Sequence, residues 1–265
     1  MRLALGRGIP SGCWALLLAM IPVGLIADEP AKPAPKPVPP GIRLVQPLGI
    51  EAGKPTKLRV RGQFFDGVTA MWVQNGDVKI PVKVGTAVEA KAVTGFDAGR
   101  MGDRQFEVEL TLPAEALPGT NTVLMITGPA GESSPFPLLI LPTGTVTGEK
   151  EPNDGFRAAP GATLPIRLRG AMEAKGDVDV FRVELKAGKT FRAEVMAARW
   201  KSTLDAMLTV YDARYAVIAS VDDVLGRDPV VEFEVKDSGE YFVAVSYAND
   251  LAASTHEYIL SMEEK

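Results

Sequence analysis

From residue 42 onward the chain alternates apolar and polar side chains in short runs. No stretch keeps a helical period for more than a turn or two. Ile42 to Val45, Lys57 to Arg61, Val68 to Val73, Val78 to Val84, Gln105 to Leu112, Thr122 to Ile126 and Phe136 to Leu141 each read as a strand. The clearest is Gln105 to Leu112, where Phe106, Val108, Leu110 and Leu112 share one face. Trp72 sits inside an alternating strand, which places it in the core; the alternative is a binding face. Asn75-Gly76 is the pair favoured in a type I′ hairpin, whose two central residues take positive φ. These runs predict an antiparallel β-sandwich over 42–142.

Residues 143–148, TGTVTG, are small and polar and read as a hinge. Alternation then resumes in Ala162 to Leu168, Asp179 to Leu185, Thr190 to Ala197, Met207 to Tyr211, Val230 to Val235, Glu240 to Tyr247 and His256 to Met262. In the second of these, Phe181, Val183 and Leu185 oppose Val180, Arg182 and Glu184, the pattern of one buried and one wet face. A second sandwich is expected over 149–265, jelly-roll-like, with about eight strands. The predicted fold class is all-β, two consecutive antiparallel β-sandwiches.

The first 41 residues belong to neither sandwich. Arg2 and Arg7 precede an apolar run from Cys13 to Ala27, which Asp28-Glu29 ends. A bilayer span needs about 20 residues, and this shorter run is interrupted by Pro22. Residues 1–27 are therefore expected to be a secretory signal peptide cleaved after Ala27, with an uncleaved anchor as the alternative. The one cysteine would leave with that leader. Residues 28–41 form a linker; six of the thirteen residues 28–40 are proline, so it is extended and cannot pack a core. The expected location is secreted or periplasmic, at the cell envelope. Net charge is −4, with 21 acidic and 15 basic side chains in 149–265, which argues against nucleic acid as partner.

Two resemblances follow from particular residues. Pro47-Leu48-Gly49, Ala52 to Thr56, Leu58 to Phe65, and later Leu112 to Thr120 followed by Val123 to Thr127, resemble an IPT/TIG-type immunoglobulin-like domain. That implies an Ig-like sandwich serving as spacer or interaction module. Farther on, Glu151 to Asp154, Gly170, Gly176 to Phe181, Leu185 to Gly188, Leu204 to Leu208, Tyr211-Asp212, Asp222-Asp223, Asp228 and Gly239 to Val245 resemble the bacterial pre-peptidase C-terminal (PPC) domain. That family occurs as appendages on secreted proteases and other exported proteins. It includes the calcium-stabilised collagen-binding domains of clostridial collagenases.

The stretch from Gly148 to Phe181 concentrates oxygen ligands. Glu149, Glu151 and Asn153 alternate, so an extended backbone, supported by the fixed φ of Pro152, puts them on one side. Asp177 and Asp179 alternate likewise at the entry to a strand. Calcium takes about six to eight oxygens and tolerates irregular geometry. Clustered carboxylates repel one another without a cation. The PPC resemblance implies acidic and amide ligands at these two places. The metal candidates are Glu149, Glu151, Asn153, Asp154, Asp177 and Asp179, for one calcium ion or two. The competing reading is a turn at Asn153-Asp154-Gly155 with solvated aspartates. Asp205, Asp212, Asp222, Asp223 and Asp228 form a second acidic group, for which turn chemistry is the first reading.

No catalytic residues are assigned. His256 is the only histidine, and a triad with Ser254 or Ser246 and Asp250 would draw on near neighbours along one strand. No nucleophile elbow or phosphate-cradling glycine loop occurs. Trp200, Tyr215, Tyr247 and Tyr258 are candidates for an exposed aromatic face, with packing as the alternative. The expected function is an exported, non-catalytic binding or accessory protein with a calcium-stabilised second domain. Its partner would be an extracellular or envelope protein or a polysaccharide, and the membrane only if the leader stays. The alternatives are a structural spacer or assembly component of the envelope, and a secreted hydrolase.

Overall fold

The computed structural model describes residues 36–116, 121–247 and 253–265. The leader, most of the proline-rich segment and the turn at Gly119 lie outside them. The strands of the first half are β1 (Gly41–Gln46), β2 (Ile50–Glu51), β3 (Thr56–Gln63), β4 (Ala70–Asn75), β5 (Val78–Val82), β6 (Val88–Glu89), β7 (Arg104–Leu110), β8 (Thr122–Gly128), β9 (Gly131–Glu132), β10 (Phe136–Pro137) and β11 (Ile140–Leu141). One helical turn, α1 (Ala98–Met101), precedes β7. One sheet runs β1-β3-β7-β6; the other runs β10-β8-β4-β5, with β9 beside β8. Their inner faces meet in a core that includes Val60, Phe65, Phe106, Leu124 and Ile126.

The second half carries β12 (Val146–Gly148), β13 (Ile166–Ala171), β14 (Val178–Leu185), β15 (Thr190–Met196), β16 (Ala206–Asp212), β17 (Val217–Val221), β18 (Val230–Glu234), β19 (Gly239–Tyr247) and β20 (Glu257–Glu264). The sheet β12-β13-β20-β15-β18 packs on the sheet β14-β19-β16-β17. Phe181, Val183 and Leu185 face this core, as their alternation demands. Val180, on the other face of β14, packs outside with Phe242, Ala244 and Phe156. The all-β, two-sandwich class therefore holds.

Three local expectations differ. The turn between β4 and β5 is Gly76-Asp77, because Asn75 pairs with Val78. Only Gly76 takes positive φ there, so the turn is not type I′. Trp72 is buried but stands apart from the sandwich core: Met71 and Val73 fill the core, while Lys79 covers the Trp72 ring at 3.7 Å. Two strand pairs are parallel, β11 on β2 and β12 on β13. Both lie where the chain leaves the first sandwich and enters the second.

That passage is tied on both sides. Glu51 accepts hydrogen bonds from the N–H groups of Thr145 and Val146, and the Thr143 hydroxyl donates to Ala52. The segment read as a hinge thus contains a paired strand. Residues 37–265 form one compact unit. Across the junction, the Arg169 guanidinium donates to the carbonyls of Leu48 (3.0 Å) and Gly49 (2.7 Å). The Glu257 carboxylate accepts from the Leu48 N–H and the Gln46 amide. Leu48, Leu139, Leu141 and Ile259 bury a small apolar cluster there, with Trp200 against it. Ile259→Ala is expected to cost about 2–5 kcal/mol, the range for truncating a buried isoleucine. Urea unfolding checks this; a change within error would mean the junction contributes no packing energy.

Candidate metal centre

Asp179, Phe181, Val183 and Leu185 share one face of β14, so Asp179 occupies a core-facing position at the end of the sandwich and is fully buried. Opposite, on β20, Tyr258 lies in register with Leu260 and Met262 on the core face and is fully buried too. Its hydroxyl lies 2.6 Å from Asp179 Oδ2 and 3.0 Å from Glu149 Oε2. One hydroxyl has one proton, so it cannot donate fully to both. Glu149 follows β12 directly, and its other oxygen accepts the Ala171 N–H at 2.8 Å.

The neighbour of Tyr258 across the β13–β20 ladder is Gly170. A Cβ on Gly170 would lie 2.3 Å from the Tyr258 hydroxyl and 2.4 Å from Glu149 Oε2. Glycine is required there by close approach of these two polar groups.

The segment after Glu149 closes the site. The Asn153 N–H donates to Glu151 (2.9 Å), and its carbonyl accepts from Val180 (3.0 Å) and Gly155 (2.8 Å). Asn153 is thereby pinned to the start of β14 and fully buried. Residues 149–153 form no strand, so the run is not the plain extended segment that the alternation suggests. Carboxylate oxygens of Glu149, Glu151 and Asp179 nevertheless lie within 4.8 Å of one another. Asn153 Oδ1 and Asp179 Oδ1 are both buried without a hydrogen-bond partner.

The other two candidates sit beside this group. Asp177 accepts the N–H groups of Glu173 (2.7 Å) and Ala174 (3.4 Å), which makes it a turn cap. Asp154 is exposed, and its charge acts on the Asp177 carboxyl. Glu149, Glu151, Asn153 and Asp179 thus converge, while Asp154 and Asp177 lie at their edge.

Burial dominates the electrostatics. It pushes the Asp179 pKa up to about 9, against the Tyr258 hydrogen bond and with help from the Glu149 and Asp177 charges. Burial likewise raises Glu149, partly offset by the Ala171 N–H and the hydrogen bonds to Asp179 and Tyr258. Burial also raises Asp177 and, well above its usual range, the Tyr258 phenol. Such a group must hold either a proton or a cation. Its donor set is carboxylate and amide oxygen without histidine or thiolate, which suits a hard cation such as calcium.

The remaining candidates are structural. The buried Asp228 accepts the Ala197, Ala198 and Arg199 N–H groups and the Arg199 side chain, so it caps the short 3₁₀ turn Ala198–Trp200. Asp212 accepts from the N–H groups of Arg214 and Ala216. Asp222 accepts from the Asp223 N–H, and Asp205 pairs with Arg227. Turn chemistry and ion pairing account for these four.

His256 is fully buried, with its ring against Tyr247 and Phe96. Asp250 lies outside the described residues. Of the aromatic candidates, Tyr258 is buried and Trp200 packs at the junction, which corrects any reading of them as an exposed face. Tyr215 is exposed and stacks on Phe156. Sequence reasoning misses Tyr258 as part of the acidic group. The one signal for it is a tyrosine at a core-facing strand position, where a buried hydroxyl needs a partner.

Residues 177–246 match the family model of the bacterial pre-peptidase C-terminal domain. The resemblance read from the sequence thus holds over residues 177–246 of the second sandwich. A probable subtilase-type serine protease of Deinococcus radiodurans is 38% identical over 79 residues, which is 29% of this chain and 11% of that protein. The chain therefore spans about a tenth of the curated relative it matches. Among solved structures, the pre-peptidase C-terminal domain of a Bacillus anthracis collagenase is 17% identical. The match covers 40% of this chain and 94% of that one at a TM-score of 0.33. Aeromonas hydrophila PliG, a periplasmic lysozyme inhibitor, is 14% identical over 46% of this chain and 98% of its own, also at 0.33.

The acidic group makes a signed pH prediction. Asp179 and Glu149 have folded pKa values raised above their unfolded values near about 4. The unfolded chain therefore binds fewer protons between these limits. With chelator present, their contribution is complete below about pH 4 and is lost as pH rises toward 9. Urea midpoints in EDTA should fall across that window, and Asp179→Asn should flatten the slope. A wild-type slope equal to that of the variant would contradict the assignment.

Proposed function

We propose that the chain is an exported, non-catalytic accessory protein whose C-terminal sandwich is fixed by calcium. The observation that carries the metal reading is the group of three carboxylates, Glu149, Glu151 and Asp179, within 4.8 Å of one another, with Asp179 Oδ1 and the Oδ1 of the neighbouring Asn153, whose Nδ2 reaches Glu149 at 3.4 Å, both buried without a partner. Glu149, Glu151, Asn153 and Asp179 would hold the ion, with Asp154 and Asp177 available at the edge. Calcium would neutralise the carboxylates and give both orphan oxygens a partner. The ion does no chemistry in this reading; it replaces a proton that the site otherwise retains.

The accessory role draws support from the pre-peptidase C-terminal match and from the small share of the protease relative that aligns. Those similarities also support placement outside the cytoplasm. The partner would be an extracellular or envelope protein or a polysaccharide. A second reading, a rigid spacer or assembly component of the envelope, is favoured by the junction at Gln46, Arg169 and Glu257. A screen against polysaccharides and matrix proteins separates the two: saturable binding supports the accessory role, and co-purification in an envelope complex without such binding supports the spacer. A hydrolase centred on His256 is disfavoured by the full burial of its ring.

Thermal unfolding with calcium and with chelator tests the metal. An ion that binds only the folded chain should add about 2.7 kcal/mol at a hundredfold excess over Kd. Glu151→Ala and Asp179→Ala should each remove most of the shift, while Asp177→Ala should remove less. Superimposable curves in both conditions would overturn the calcium reading.

A further inference from the structure

Outside the acidic centre, Arg61 on β3 is a buried cation without a counter-charge. It is 6% exposed. Its Nη2 donates to the carbonyls of Lys91 (2.8 Å) and Gly102 (3.1 Å), while its buried Nε has no acceptor. No carboxylate lies within ion-pair distance of it among the described residues, and the charge that acts on it, Arg59, is repulsive. Carbonyl oxygens satisfy N–H groups but do not neutralise a guanidinium, and burying an unpaired charge is costly. Burial and Arg59 accordingly push its pKa down.

Beside Arg61 the chain leaves a cavity of about 420 Å³, lined among others by Ala90, Val93, Phe96, Met101 and Arg104. That volume lies within the range of small-molecule sites. The cavity is preformed. Ala90 N–H donates to Asp103, Asp103 N–H donates to Gly62, and Asp97 caps α1 through the Arg100 N–H. Its walls are mixed: Ala90, Val93, Phe96 and Met101 give an apolar side, and Arg61 and Arg104 bring two cations. Glu89, Asp97 and Asp103 also border it, so a polyanion would meet repulsion.

We propose that this cavity binds a small carboxylate with a compact apolar body. The carboxylate pairs with the Arg61 guanidinium from the cavity and supplies the counter-charge it lacks; the body rests against Phe96 and Met101. A monoanion neutralises the buried cation and meets less repulsion from the acidic rim than a polyanion would.

The probe is 3-phenylpropanoate added to the full chain, followed through the arginine Nε–Hε resonances by NMR. Its neutral amide, 3-phenylpropanamide, has the same body, and sulfate at matched ionic strength supplies a compact polyanion. The carboxylate should shift the Arg61 resonance saturably, with the amide about tenfold weaker or more, as expected for loss of a charged hydrogen bond. Sulfate should give no saturable shift. Equal affinity for acid and amide, no saturation by the acid, or sulfate binding as tight as the acid would each overturn the assignment. Arg61→Lys should weaken the acid by a similar factor and leave the amide unchanged. Should that variant misfold, the acid–amide comparison on the unaltered chain still decides.

Discussion

Two carboxylates, Glu149 and Asp179, face one tyrosine hydroxyl inside the end of a β-sandwich, and most of the second half is arranged to permit this. Asp179 is fully buried and Glu149 partly so, and solvent therefore compensates their charges poorly. Gly170 leaves space for them, Tyr258 lies between them, and Asn153 closes the side toward the preceding chain. Ordinary core design would place an apolar residue at position 179, in line with Phe181 and Val183. The departure from that pattern is the reason to read the group as a functional centre.

The centre also sits on the path between the two sandwiches. Glu149 continues β12, which pairs with β13, and β13 carries Arg169 to the carbonyls of Leu48 and Gly49. Tyr258 follows Glu257, whose carboxylate holds the Leu48 N–H. Both strands that frame the acidic group therefore also frame the junction. A cation at Glu149 and Asp179 would act on the same backbone that fixes the first sandwich to the second. Stiffening of the junction by such a cation would follow from shared strands and would need no long-range signal.

Features set by local pattern are legible in the amino-acid sequence. Phe181, Val183 and Leu185, or Phe106, Val108 and Leu110, report their buried face through a period of two residues. Glu149, Glu151 and Asp179 are legible as ligand candidates because oxygen-bearing side chains crowd two short stretches. Tyr258 is not, since it meets Glu149 across 109 residues of chain and only the β13–β20 register brings them together. Asp177 looks equivalent to Asp179 along the chain, but it turns to cap Glu173 and Ala174. The Gly76-Asp77 turn lies one residue beyond the pair that turn preference selects, because register depends on pairing with β8 as well. Arg61 reads as one of several strand arginines; only the loop above β3 reveals its burial.

Calorimetric titration of calcium at pH 7, repeated in buffers of different ionisation enthalpy, tests the central claim most directly. A site that exchanges a shared proton for a cation should bind calcium and release about one proton per ion. Saturable binding whose heat is the same in every buffer would mean that no proton is displaced, and absence of binding heat would remove the metal altogether. Either result would contradict a buried acidic pair held by proton or calcium in turn.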